Sequence, residues 1–156
     1  MQFSIVCRNK KKKTRFERPL PTCPTCGNGW LDAEYDLINP QQTIDSLQNG
    51  TAWRQKLDQR GATLWRYREL LPILRDENIV TLGEGWTPLL RAHNLGLMLG
   101  HPNIFIKDER QGPTGSFKDR QAAIAIHAIN EPAIKETVLP STDNFAIAYP
   151  THNARA

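Results

Sequence analysis

The chain has 156 residues, of which 39% are hydrophobic and 23% charged, with a formal net charge of +4. That length suits one ordinary domain, and the balance is that of a globular rather than a disordered protein. No run approaches the roughly 18 consecutive apolar residues of a membrane-spanning helix, and Met1-Gln2-Phe3-Ser4-Ile5-Val6-Cys7 lacks the basic start and long apolar run of a secretory signal, so the expected compartment is the cytoplasm. Lys10 to Lys13 supply much of the charge excess. No aromatic residue interleaves this run to stack bases, so it reads as a solvated turn tip rather than a nucleic-acid surface.

Residues 1–38 are basic and carry Cys23-Pro24-Thr25-Cys26-Gly27, a Gly/Pro-rich turn with little helical signal. A small β-ribbon is expected there. Residues 39–78 read as a helical connecting segment. Asn39-Pro40 is a start signal, Ile44 and Leu47 lie one turn apart, as do Trp53 and Leu57, and Asn49-Gly50 divides the stretch. A third helical piece covers Leu64 to Leu71 and ends near Pro72.

From Ile79 onward short strands alternate with helices. Ile79 to Leu82 and Thr87 to Leu90 are predicted strands flanking Gly83-Glu84-Gly85. Ala92 to Leu99 is a short helix stopped by Gly100, and Asn103 to Glu109 contains a strand. Gln111 to Gly115 is a loop, and Asp119 to Asn130 is a helix presenting Ile124, His127 and Ala128 on one face. Thr137-Val138-Leu139 is a further predicted strand. Such alternation predicts an α/β layout with a parallel sheet and helices over residues 79–156.

The segment from Ile104 to Ala123 carries the chemistry. A strand delivers the chain to a loop in which Gly112 and Gly115 permit close backbone approach. A helix then begins, and its free N–H groups and dipole favour an anion. Lys118 stands at that start. The dipole disfavours an ammonium there, whereas the carboxylate of Asp119 favours one, so the net sign is not readable from spacing. A neutral amine is the species that attacks a carbonyl. A lysine at a helix start is most often an ordinary surface residue, and the Gly-x-x-x-x-Gly-Lys-Ser/Thr order of a phosphate loop is absent.

Lys107-Asp108-Glu109 followed by Pro113-Thr114-Gly115-Ser116-Phe117-Lys118-Asp119-Arg120 resembles the cofactor-lysine motif of the threonine synthase family, within the tryptophan synthase β-like pyridoxal-phosphate enzymes. Leu64 to Pro72 and Leu82-Gly83-Glu84-Gly85-Trp86-Thr87-Pro88-Leu89 are similar to upstream blocks of threonine synthases, in the same order and spacing. The resemblance implies a type II pyridoxal-phosphate fold, with Lys118 bearing the cofactor. It implies that Asn144, in Ser141-Thr142-Asp143-Asn144, meets the cofactor's ring hydroxyl, with Ser141 and Thr142 near the substrate. The implied reaction is conversion of O-phosphohomoserine, a small amino-acid phosphate, to threonine and phosphate. A threonine dehydratase-like elimination shares the lysine motif, and a non-catalytic remnant or interaction protein is the reading from another class.

This chain departs from the family pattern. Asp143 replaces the loop glycine and brings bulk and negative charge. Pro140 removes a ladder donor at the end of a predicted strand, and Pro150 falls inside a predicted helix at a cost of about 3 kcal/mol. The family's glycine-rich phosphate loop lies beyond the asparagine loop, and no such segment follows Asn144 here. The expectation is a truncated or decaying member, weak or inactive alone. A sheet cut short would expose an edge, which is compatible with a homo-oligomer.

Cys7, Cys23 and Cys26 are an odd set, which argues against disulfides in the cytoplasm. Cys23-Pro24-Thr25-Cys26 is one half of a zinc ribbon, as found at the start of some threonine synthases. Cys7 is followed by Arg8-Asn9-Lys10, so a lysine stands in for the fourth thiolate. Structural zinc normally has four protein ligands, and a degenerate ribbon without metal is favoured over a zinc site. A redox pair is less favoured still, because no helix follows Cys23 to activate it. His93, His101, His127 and His152 are expected in ordinary surface or boundary packing, Trp30, Trp53, Trp65 and Trp86 in the core or against neighbouring elements, and Arg66 and Arg68 on a solvated helix face.

Overall fold

The computed structural model describes residues 3–15, 20–35, 50–131 and 134–156. They fall into two compact units. One comprises residues 1–61, 65–79 and 127–136, and the other residues 62–64, 80–126 and 137–156. The expected helical start at Asn39-Pro40 and the pair Ile44 and Leu47 lie outside the described residues.

In the first unit, β1 (Phe3–Cys7) is the centre of a three-stranded antiparallel sheet between β2 (Lys13–Arg15) and β3 (Leu31–Tyr35). Ile5 stands opposite Thr14 on one side and Ala33 on the other, and Cys7 stands opposite Leu31. Lys13 pairs with Glu34 and Arg8 with Asp32, each at 2.6 Å. These pairs are exposed and contribute little to stability. The lysine run is exposed and passes from a turn at Lys10 to the start of β2 at Lys13. Trp30, expected in the core or against a neighbouring element, is 71% exposed.

Helix α1 (Gly50–Asp58) is followed by a 3-10 segment, Leu64–Leu70, broken at Tyr67 (φ −102°, ψ 26°). The expected α-helical piece is thus a tighter turn, because Leu71 precedes Pro72 and is pushed out of helical backbone. Arg66 is buried rather than solvated and lies 3.6 Å from Asp58. Trp65 is buried, its ring 5.8 Å from that of His127. Arg75 donates to Glu131 from its backbone N–H (2.8 Å) and from Nε (2.6 Å). Burial pulls the Glu131 carboxyl up, but these bonds outweigh it and hold it below its ordinary value.

In the second unit, β4 (Leu89–Arg91) pairs with β5 (Phe105–Lys107), joined through α2 (His93–Leu99), which ends at Gly100. The pairing is antiparallel, with Leu90 opposite Ile106. Both described sheets are antiparallel, so the predicted parallel sheet is absent among the described residues. Two of its predicted strands form no ladder. The backbone N–H of Leu82 and the hydroxyl of Thr81 donate to the buried Glu84 carboxylate instead (2.8 and 3.1 Å). Thr137-Val138-Leu139 is extended but unpaired, with Val138 86% exposed. A strand exists through its ladder, and alternating texture alone cannot supply one.

Helix α3 (Lys118–Asn130) buries Asp119, Ala122, Ala123, Ile126 and His127, a stripe at three- and four-residue spacing. Of the face predicted from Ile124, His127 and Ala128, His127 is fully buried while Ile124 and Ala128 are half-buried, so part of the stripe lies one position back from it. Helix α4 (Phe145–Arg155) continues through Pro150, and the Thr151 hydroxyl donates to the Ile147 carbonyl at 2.6 Å. Its Ala148 and His152 are fully buried.

The Gly83-Glu84-Gly85 turn is sterically determined. Gly85 has φ +102°, and a Cβ there would lie 2.5 Å from the Leu64 nitrogen, whose N–H donates to the Glu84 carbonyl at 2.7 Å. Neither backbone group can yield without losing that bond. Gly85→Ala is expected to destabilise the protein by on the order of 2 kcal/mol, measured by urea unfolding; an unchanged midpoint would show that the turn is not fixed in this way.

Candidate active site

The end of β5 is the anchor of the site. Each residue of Lys107-Asp108-Glu109 has its own partner. The Lys107 ammonium donates to the Thr87 carbonyl. Asp108 accepts from the Arg110 guanidinium (2.7 and 2.9 Å) and from Gln111 (3.3 Å). Glu109 accepts from the Thr87 hydroxyl (2.8 Å) and from Arg120 (2.9 and 3.0 Å). Arg110 holds the Asp108 carboxyl down to about 2, and Arg120 holds that of Glu109 below its ordinary value. Strand end, loop and helix start are thus tied by charge-assisted bonds.

Between them the loop is closed by Asp119. Its buried carboxylate accepts from the Thr114 N–H (3.0 Å) and the Thr114 hydroxyl (2.7 Å). Gly112 is required by this clamp, since a Cβ there would meet Asp119 Oδ2 at 2.7 Å. The close approach expected of Gly112 is therefore to Asp119, and the Asp119 carboxylate is engaged with Thr114 rather than the neighbouring amine. The Lys118 N–H is capped by the Ser116 hydroxyl at 3.2 Å.

An open cavity of about 560 Å³ lies against this junction, lined by β5, by Arg110, Gly115, Ser116 and Phe117, and by Asn144. Asn144 lines the cavity and Lys118 does not, although its neighbour Phe117 does. The Lys118 amine rests against the ring faces of Phe145 and Phe117. Ser141 and Thr142 precede α4 but do not line the cavity; the Ser141 hydroxyl donates to Asp143 at 2.9 Å. Asp143 also accepts from the Phe145 N–H at 2.8 Å, which with Ser141 holds its carboxyl below the ordinary value. Asp143 does not adopt positive φ, so the glycine conformation expected here is not used. The carboxylate instead favours the first turn of α4.

Sequence reasoning missed two buried groups. His152 and Glu84 are fully buried, with His152 Nε2 3.5 Å from the Glu84 carboxylate and Nδ1 donating to the Ala148 carbonyl at 2.9 Å. His127 is also fully buried, 3.1 Å from Glu131. Each histidine follows a buried alanine by four residues, His127 after Ala123 and His152 after Ala148, and this is the one signal that points inward. Trp86, expected in the core or against a neighbouring element, is 59% exposed at φ +51°.

In the first unit the three sulfurs of Cys7, Cys23 and Cys26 lie within 4.8 Å of one another. Two matching turns produce this. Gly27 N–H donates to the Cys23 carbonyl (2.8 Å) and Lys11 N–H to the Cys7 carbonyl (2.7 Å), with positive φ at both Gly27 and Lys11. Lys10 thus occupies in one turn the place of Cys26 in the other. The Thr25 N–H pulls the Cys23 thiol down to about 7 against the effect of burial, a shift made without the helix that the sequence reading looked for. The Asn28 N–H pulls Cys26 down, but burial and the neighbouring thiols raise it overall. These residues fit three of the four ligands that structural zinc takes.

Residues 80–154 match the family of pyridoxal-phosphate dependent enzymes, and the chain is threonine synthase-like in sequence. It is 38% identical to the threonine synthase of Methanocaldococcus jannaschii over 135 residues, 86% of this chain and 31% of that protein. It is 33% identical to that of Methanosarcina acetivorans over 135 residues, 30% of that protein. It is 38% identical to that of Halalkalibacterium halodurans over 93 residues, 60% of this chain and 26% of that protein. The chain therefore spans about a third or less of these relatives. No solved structure is a significant match. Among the described residues no helix is long and apolar enough to cross a membrane.

The Asp108–Arg110 pair gives a signed pH dependence. A carboxyl depressed from 3.8 to about 2 in the folded state contributes stability that is whole above the unfolded value and is lost as pH falls through about 2. Asp108→Asn should flatten the fall in stability between these values, read as urea midpoints at pH 5, 3 and 2; a mutant as acid-sensitive as the parent would refute the assignment.

Proposed function

We propose that this chain carries the lysine-bearing part of a threonine synthase-like, pyridoxal-phosphate-dependent enzyme. The observation that carries the reading is the position of Lys118: it is the first residue of α3, follows the cavity-lining Phe117, and sets its amine against Phe145, the neighbour of the cavity-lining Asn144. Lys118 would hold the cofactor through its amine, and Asn144 would donate to the ring hydroxyl. When bound, pyridoxal phosphate supplies an electron sink for carbon–hydrogen and carbon–oxygen bond cleavage. The substrate class is a small amino-acid phosphate, O-phosphohomoserine, and the products are threonine and phosphate.

The chain's own residues have defined parts in this reading. The Asp119–Thr114 clamp keeps the loop closed, so that Lys118 leaves the backbone at a fixed point. The Arg120–Glu109–Thr87 network ties α3 to the end of β5. Lys118 Nζ, when free, is the group placed to move protons. Ser141 and Thr142 lie on the loop before α4 and would stand near the substrate, while the N-terminal end of that helix is taken by the Asp143 carboxylate.

Pyridoxal phosphate followed by borohydride tests this. Peptide mass spectrometry should find the reduced adduct on Lys118 in preference to Lys10 to Lys13, and Lys118→Ala should abolish the preferred site and its absorbance. Labelling spread evenly over the exposed lysines would contradict the reading.

The cysteine cluster supports a second, separate site of zinc type in the first unit, with Cys7, Cys23 and Cys26 as ligands and the fourth place facing Lys10. The equivalence of the two turns gives the test. Lys10→Cys should raise zinc affinity at least about tenfold by completing four thiolates, and Cys23→Ser should remove binding, both followed by competition with a chromogenic chelator. Equal zinc uptake by the parent and Cys23→Ser would exclude the site.

A further inference from the structure

The Lys118 amine is framed by two aromatic rings. Nζ stands 3.7 Å from the Phe145 ring centroid and 4.7 Å from that of Phe117. Both are within the roughly 6 Å over which a ring face attracts a cation. Phe145 opens α4, is half-buried, and meets the Tyr149 ring edge-on at 5.6 Å, which limits where its own ring can turn. Asp143 stands close enough on the same loop to feel the charge of Lys118. A ring face attracts an ammonium and offers nothing to a nitrogen lone pair, and it covers one side from which a carbonyl carbon must approach.

We propose that Phe145 is a gate on Lys118: its ring seats the ammonium, and displacing it exposes the amine to carbonyl reagents. The gate acts before any covalent step. In that step the ammonium first loses a proton to solvent, the amine lone pair bonds the carbonyl carbon, and the leaving oxygen carries off the remaining proton or protons of the nitrogen, as water from an aldehyde (two) or as acetic acid from the anhydride (one). The functional meaning of the gate rests on reading Lys118 as the cofactor lysine; the contact itself does not. None of the resemblance blocks includes Phe145, so it sets this chain's own reactivity.

The test uses trace acetylation by acetic anhydride, in which the amine displaces acetate, with the exposed Lys135 as internal reference. Phe145→Leu keeps bulk and removes the ring face, whereas Phe145→Tyr keeps the face. Lys118 in Phe145→Leu should acetylate about three- to fivefold faster than in the parent, and Phe145→Tyr should match the parent. Equal rates in the parent and Phe145→Leu, or equal acceleration in both variants, would overturn the proposal.

A second readout needs no variant. In the unmodified protein carrying labelled lysine, the Lys118 ε-methylene protons should resonate upfield of those of the exposed lysines and rejoin them in urea. Coincidence in the folded protein would also overturn the gate. Acetylation that accelerates as stated while pyridoxal phosphate shows no preference for Lys118 would leave the gate standing and remove the cofactor reading.

Discussion

A single buried carboxylate, Asp119, accepts both the backbone N–H and the hydroxyl of Thr114. Hydrogen bonds to an ionised group are each worth about 1.5–3 kcal/mol net, and here two of them close a five-residue span at the start of α3. The loop carries little other regular structure to define it, so its shape follows from this clamp. Lys118 is the residue immediately before the carboxylate. Its direction of exit is therefore fixed by where Asp119 must point. The carboxylate faces the loop, and the amine faces the aromatic rings.

Around the clamp, polar groups are satisfied by residues close in space but distant in sequence. Glu109, Arg120 and Thr87 bind one another across three segments of the second unit. Such a network rigidifies a site because each group left without its partner would be costly where it is sheltered from water. The first unit uses the same logic at its turns, where backbone N–H groups rather than a helix dipole act on the thiol of Cys23. In both units the chemistry-bearing side chain sits next to a backbone constraint that sets its direction.

Local signals were read well from sequence. The stop at Gly100, the helix from Lys118 to Asn130 and the β-ribbon character of the first unit follow from turn residues and periodicity, which act within a few residues. Lys118 was singled out by its motif alone. Pairing was not legible, because which strand meets which depends on chain-distant partners: Ile79 to Leu82 alternates plausibly but gives its donors to Glu84, and β4 meets β5 antiparallel. Burial of single polar residues was also hard to read. The inward direction of His127 and His152 shows locally only in the buried alanine four residues before each, and nothing local tells that Trp30 and Trp86 point out. The orientation of Asp119 needed Thr114 and Gly112 to be seen beside it, and the role of Asp143 needed the N–H of Phe145.

The most direct measurement is amide hydrogen exchange at Thr114, resolved by nuclear magnetic resonance in the parent protein and in Asp119→Asn. A clamped loop predicts slow exchange at Thr114 in the parent and marked acceleration in the variant, while amides in the middle of α3 stay protected in both. Exchange at the unstructured-peptide rate in the parent would mean that the carboxylate does not hold the loop, and the fixed exit of Lys118 from the backbone would have lost its physical basis.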